Sequence, residues 1–171
     1  MTTNTAAAVT MKGNPVTLLG TDVPIGKSAP DATLVANDLS EFKLSSLKGK
    51  KVILSAVPSL DTGICDLQTK RFNQEATGLG ANAAIVTIST DLPFAQKRWC
   101  GATGSKNVIT LSDHREANFG QSYGILIKGL RLLARAIFIV DASGVLRYKQ
   151  IVPEITTEPN YDDVLSAFKK I

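Results

Sequence analysis

Apolar residues recur along this chain in two rhythms, and the changes from one to the other mark its elements. The run Val52-Ile53-Leu54-Ser55-Ala56-Val57 is nearly continuous and rich in Val and Ile, which predicts a buried strand over residues 51–57. A helix is expected from about residue 64 to 77, stopped near Gly78 and Gly80, because glycine commonly follows a last helical turn. Ala83-Ala84-Ile85-Val86-Thr87-Ile88-Ser89 repeats the buried-strand pattern. The next helix opens at Asp91-Leu92-Pro93, with Asp91 suited to the cap and Pro93 to the first turn. It carries Cys100 to its end, just before Gly101. A strand over residues 108–111 and a short helix over about 116–123 continue the alternation. Residues 136–140 and 145–151 flank Asp141-Ala142-Ser143-Gly144, a hairpin signal. In the last helix Tyr161, Val164, Leu165 and Phe168 share one face. At the other end, Gly13-Asn14-Pro15 reads as the turn of a small hairpin and Val16-Thr17-Leu18-Leu19 as its return strand. About the first ten residues are expected to be a flexible lead-in. Short strands at residues 32–35 and 42–44 flank an Asn37-Asp38 turn. Strands alternating with helices, closed by a late hairpin, indicate one α/β domain over residues 1–171, with a central mixed sheet between helices.

Composition removes several classes of function. A hydrophobic share of 44% and a charged share of 20% are ordinary for a globular chain. The 171 residues suffice to bury a core without metal or disulfide staples. The net charge of +4 is mild, its Lys and Arg are scattered, and no aromatic platform accompanies them. Nucleic acid is therefore not an expected partner. No apolar stretch approaches the length of a membrane span. Met1-Thr2-Thr3-Asn4-Thr5-Ala6-Ala7-Ala8-Val9 lacks the basic-then-apolar order of a signal peptide. Two cysteines do not make a secreted disulfide framework. The expectation is a soluble cytoplasmic protein, in which a disulfide would be transient and catalytic.

Cys65 is where the chemistry concentrates. It follows the proline-broken segment Pro58-Ser59-Leu60-Asp61-Thr62-Gly63-Ile64, which places it in the first helical turn. Unpaired backbone N–H groups and the helix dipole favour an anion there, and the thiolate is the nucleophilic form of cysteine. The alternative is inert packing, since free cysteine is among the most buried residue types. Thr62, three residues earlier, can donate its hydroxyl to a thiolate or cap the helix; the two roles are compatible. One thiol at a helix start and one distant thiol, Cys100, suggest a sulfur that is oxidised and then resolved as a disulfide. The one histidine, His114, lies in the polar stretch Ser112-Asp113-His114-Arg115-Glu116 and reads as exposed or capping rather than as a base. Without a second histidine or a close cysteine pair, a zinc site is not expected. A fixed cation must then assist the thiol. Arg135, leading into Ala136-Ile137-Phe138-Ile139-Val140, is the best candidate, a salt-bridge role being the alternative.

These residues carry a resemblance. Pro58 to Cys65 matches the PxxxTxxC active-site pattern of peroxiredoxins, and the chain most resembles bacterial thiol peroxidases, the atypical 2-Cys subfamily. Asp91-Leu92-Pro93-Phe94-Ala95-Gln96-Lys97-Arg98-Trp99-Cys100-Gly101 is similar to that subfamily's resolving-cysteine segment. Asn107-Val108-Ile109-Thr110-Leu111-Ser112 and Glu154-Ile155-Thr156-Thr157-Glu158-Pro159 resemble further stretches of it. The resemblance implies a thioredoxin-like fold and reduction of hydroperoxides without metal or organic cofactor. It implies Cys65 as the peroxidatic and Cys100 as the resolving cysteine. Thr62 and Arg135 would activate the thiolate and bind peroxide oxygens, and Pro58 would shield the pocket. It also implies thioredoxin as reductant and a homodimer. One departure is a stretch between Tyr123 and Arg135 shorter than the family's. Two rivals remain: a thioredoxin-type oxidoreductase, whose C-x-x-C pair would need a thiol where Gln68 stands, and a redox sensor without turnover.

Overall fold

The computed structural model describes residues 1–171. Its centre is a mixed seven-stranded sheet ordered β10-β9-β5-β6-β7-β3-β4. The strands are β3 (Thr33–Val35), β4 (Glu41–Lys43), β5 (Lys51–Ala56), β6 (Ala83–Ser89), β7 (Ile109–Ser112), β9 (Ala136–Val140) and β10 (Leu146–Ile151). β5, β6 and β7 run parallel, while β9 lies antiparallel to β5, with Leu54 opposite Phe138. The expected fold class, α/β with a mixed sheet between helices, is the one observed.

Alternation along β5 divides the core. Val52, Leu54 and Ala56 join Phe119, Tyr123 and Phe138 in a large apolar cluster on one face. Ile53 joins Ile85, Ile137 and Ile139 on the other, where α1 (Gly63–Glu75) contributes Phe72 and α4 (Tyr161–Lys169) contributes Val164 and Phe168. Side chains on a strand point alternately to opposite faces, so one buried strand feeds both layers. A third and smaller cluster, Val57, Leu60, Cys65 and Trp99, lies apart from these two, and Cys100 packs against it.

Several boundaries depart from expectation. Residues 3–11 are not a loose lead-in: they form β1 (Thr3–Met11), paired antiparallel with β2 (Asn14–Leu19). With β8 (Leu126–Ile127), which sequence pattern did not mark, they make a second sheet ordered β1-β2-β8. Asn4 closes that sheet from within, its Nδ2 donating to Gly124 O at 2.8 Å. α2 (Pro93–Thr103) starts at the expected proline, but its N-cap is Leu92, with no side-chain cap. The helix also continues through Cys100 and Gly101 to Thr103 and ends at Gly104, whose φ of 65° suits a left-handed cap. α3 (Asn118–Ser122) is shorter than residues 116–123 and is held by the buried Asp113, which accepts from Phe119 N and Gly120 N.

Candidate active site

The loop from Pro58 to Thr62 joins the end of β5 to α1, and the structure brings Thr62 and Arg135 to the Cys65 sulfur, while Pro58 lines a cleft with both of them. Thr62 occupies the N-cap position in extended conformation (φ −104°, ψ 145°), yet its hydroxyl makes no capping bond. Thr62 Oγ1 lies 2.7 Å from Cys65 Sγ and 3.0 Å from Ser59 O, so its proton can be directed to the sulfur. Cys65 falls in the first turn of α1, among backbone N–H groups that no carbonyl of the helix accepts. Its side chain is fully buried.

Arg135 reaches the same sulfur from the end of β9. Its Nη2 stands 3.4 Å from Cys65 Sγ, its Nη1 donates to Gln68 Oε1 at 2.7 Å, and its Nε donates to Ile155 O at 2.9 Å. The guanidinium is 2% exposed and no carboxylate pairs with it. The salt-bridge alternative is thereby set aside, and Gln68 Oε1 and Cys65 Sγ are the side-chain atoms that face the guanidinium. The Tyr123–Arg135 stretch, for all its brevity, delivers the side chain to the sulfur.

Two supports were not legible as such. Gln68, one turn after Cys65 on the same helix, links Arg135 to Ser55, donating to Ser55 Oγ at 2.8 Å. Its only sequence signal is the spacing of three that puts it on the buried face. Asp91, expected as a helix cap, instead accepts from Ser59 Oγ, Leu60 N and Ser89 Oγ at 2.6–2.7 Å. It ties the Pro58–Thr62 loop to the start of α2. A cap oxygen and a loop clasp look alike in sequence, because both are an Asp before a helical proline.

Cys100 is half-buried; its Sγ lies 3.4 Å from Thr110 Oγ1 on β7, and it packs against the small cluster that contains Cys65. Both cysteines are free thiols. The residue before it, Trp99, donates from its indole Nε1 to Asp66 Oδ1 at 2.9 Å. His114 Nδ1 lies 2.8 Å from Ser112 Oγ, at the end of β7. No group of three His, Cys, Asp or Glu side chains could hold a metal ion.

Thr62 and Arg135, the two residues that touch the sulfur, also line a cleft of about 600 Å³ together with Met11, Pro58, Ile64, Leu67 and Ile155. Glu154 secures one wall of it. Its carboxylate accepts from Thr156 Oγ1, Gly13 N, Lys12 N and Thr10 Oγ1 at 2.6–2.9 Å, which holds it well below the usual carboxylate range. The β1–β2 turn and the residue that receives Arg135 Nε are thus clamped together. A separate cavity of about 210 Å³, lined by Leu44, Leu54, Tyr123 and Val140 among others, shares no residue with the site.

Known proteins share both the sequence and the fold of this chain. The pattern of the Redoxin family matches residues 24–165. The chain is 57% identical over 162 residues to a thiol peroxidase of Oceanobacillus iheyensis, covering 95% of this chain and 98% of that one. It is 52% identical to the thiol peroxidase of Bacillus subtilis over 165 residues, covering 96% and 98%. Among solved structures it is similar to a peroxiredoxin-like protein from Aquifex aeolicus, with a TM-score of 0.90, 42% identity and 99% of both chains covered.

Proposed function

Because the chain belongs to the Redoxin family, among its thiol peroxidases, we propose that Cys65 is the sulfur at which it reduces hydroperoxides and that Cys100 resolves the product. The observation that carries this reading is Cys65 Sγ held between Thr62 Oγ1 at 2.7 Å and Arg135 Nη2 at 3.4 Å. The Cys65 thiolate attacks the distal oxygen of ROOH, forming an S–O bond as the O–O bond breaks. The oxygen-bound hydrogen stays with the transferred oxygen, making Cys65 a sulfenic acid, and the departing RO⁻ takes up the proton that the Cys65 thiol released on ionising and leaves as ROH. The hydroxyl of Thr62 and the guanidinium of Arg135 are aimed at the place where charge moves from sulfur to oxygen, the arrangement that most lowers such a barrier. Pro58 helps to keep water from that point. Cys100 then attacks the sulfenic sulfur, giving the Cys65–Cys100 disulfide and water. A dithiol of the thioredoxin type reduces the disulfide through a mixed disulfide. No metal or organic cofactor takes part in these steps.

A homodimer and a cytoplasmic setting complete the proposal. Leu92 and Phe94 at the start of α2 are 53% and 65% exposed, apolar area that a second copy would cover. A disulfide formed and reduced in every cycle suits a reducing compartment. A peroxide-consumption assay coupled to thioredoxin and its reductase tests the chemistry. Cys65→Ser should lose turnover, and Cys100→Ser should consume one equivalent of peroxide without cycling. Full turnover by Cys65→Ser would overturn the assignment.

A further inference from the structure

Each cysteine lies one residue away from a hydrogen bond that joins the two helices. Asp66 follows Cys65 in the first turn of α1, and Trp99 precedes Cys100 in α2. The indole Nε1 donates to Asp66 Oδ1 at 2.9 Å, while Asp66 Oδ2 holds Lys70 Nζ at 2.8 Å. A carboxylate acceptor makes such a bond stronger than one between neutral groups. The ring is 7% exposed and packs in the small cluster with Val57, Leu60 and Cys65. The neighbouring pair, Arg98 and Asp61, is exposed at 3.4 Å and adds little.

The sulfurs have different partners: Cys65 Sγ faces Thr62 and Arg135, and Cys100 Sγ faces Thr110. A disulfide withdraws both from those partners and brings their Cα atoms to within roughly 7 Å. Residues 66 and 99 are covalently joined to the two that move. A rearrangement of either cysteine is thus transmitted directly to the indole–carboxylate bond. We propose that the Trp99–Asp66 hydrogen bond is a latch, with Asp66 and Trp99 as positioning residues that hold both helices in the peroxide-reducing arrangement and set how readily they pass to the disulfide. This rests on Cys65 and Cys100 being the reacting pair.

The latch acts on one step. The Cys100 sulfur attacks the Cys65 sulfenic sulfur, the S–S bond forms, and the S–O bond breaks. The hydroxide that leaves takes the Cys100 proton as water. While the latch is closed the sulfenic acid waits, open to a second ROOH that would oxidise it to the sulfinic acid and release ROH. A weaker latch shortens that wait and favours the oxidised protein.

The test uses the full chain and its Trp-to-Phe and Asp variants. Trp99→Phe keeps an aromatic ring and removes the donor; Asp66→Ala removes the acceptor; Asp66→Asn retains an Oδ1 that can accept. The midpoint potential of the cysteine pair is measured in dithiol–disulfide buffers, and sulfinic acid is measured by mass spectrometry after excess peroxide. Trp99→Phe and Asp66→Ala should favour the disulfide by about tenfold, a shift of about 30 mV to more negative potential, and form less sulfinic acid. Asp66→Asn, which keeps a neutral acceptor, should fall between wild type and Asp66→Ala. In the wild-type protein, emission of the one tryptophan should shift to the red on oxidation and return on reduction. Wild-type potentials in both Trp99→Phe and Asp66→Ala, or unmoved tryptophan emission while mass spectrometry shows the disulfide, would overturn the latch. Should Trp99→Phe fail to fold, Asp66→Ala and its Asn rescue decide. No disulfide in the wild-type protein would instead sink the assignment of Cys100.

Discussion

Thr62 stands where a helix ordinarily takes a capping oxygen, yet its hydroxyl serves Cys65 and Ser59 O instead. Removing a hydrogen bond to a charged group costs about 1.5–3 kcal/mol, which corresponds to roughly 10- to 100-fold in rate if the bond acts in the transition state. Thr62→Val should therefore lower kcat/KM for peroxide by that order, with Thr62→Ser near wild type. A Thr62→Val rate equal to wild type would remove the hydroxyl from the chemistry. Gln68 makes a second case. Gln68→Leu keeps the volume but strips Arg135 Nη1 and Ser55 Oγ of their partner. Groups left unpaired in that way cost about 1–3 kcal/mol, so urea unfolding should register the loss together with a slower peroxide step. Cys65, Thr62 and Pro58 could be read from sequence because they lie close together in one local motif. Arg135 could only be nominated, since it meets the sulfur through the tertiary fold. Gln68 could not be assigned at all, because a buried amide at that spacing looks like any residue on an inward helix face.

At the scale of elements, the proposed disulfide calls for at least one of the two thiol-bearing helices to rearrange. The first turn of α1 holds Cys65 toward Arg135, and α2 turns Cys100 toward Thr110. Oxidation should loosen residues 63–67 and the part of α2 around Cys100, seen as faster amide exchange there, while β5 and β6 stay protected. Superimposable backbones of reduced and oxidised forms in these segments would contradict this. Sequence pattern placed both helices because their starts carry strong local signals, a proline turn in one and Pro93 in the other. It misjudged the end of α2 because Gly101 resembles a stop, whereas the left-handed residue is Gly104. It also gave Asp91 to the helix when the neighbouring loop holds it, a choice that only packing decides.

The whole molecule adds a dependence on pH. Burial pushes the Asp113 carboxyl up to about 6, against the N–H groups of Gly120 and Phe119 that favour its charge. A group whose folded value is raised favours folding below its unfolded value of 3.8 and loses that advantage as pH rises through about 6. The stability of the wild-type protein relative to Asp113→Asn should therefore decline between about pH 4 and pH 6 and level off above. A difference flat across that window, by urea unfolding, would deny the raised value. Glu154, held low by Thr156 and Gly13, contributes in the opposite sense and loses its contribution only in acid. The central sheet was legible because its strands are locally apolar and β-branched. The second sheet was not: β8 has two residues and exists through pairing with a strand over a hundred positions away. The separation of the small cluster around Cys65 from the two larger ones has a consequence for how this protein can diversify. Volume-conserving changes at Val57, Leu60 or Trp99 should therefore alter the surroundings of Cys65 more than the packing of either sheet layer, which gives selection a handle on turnover that is partly separate from endurance.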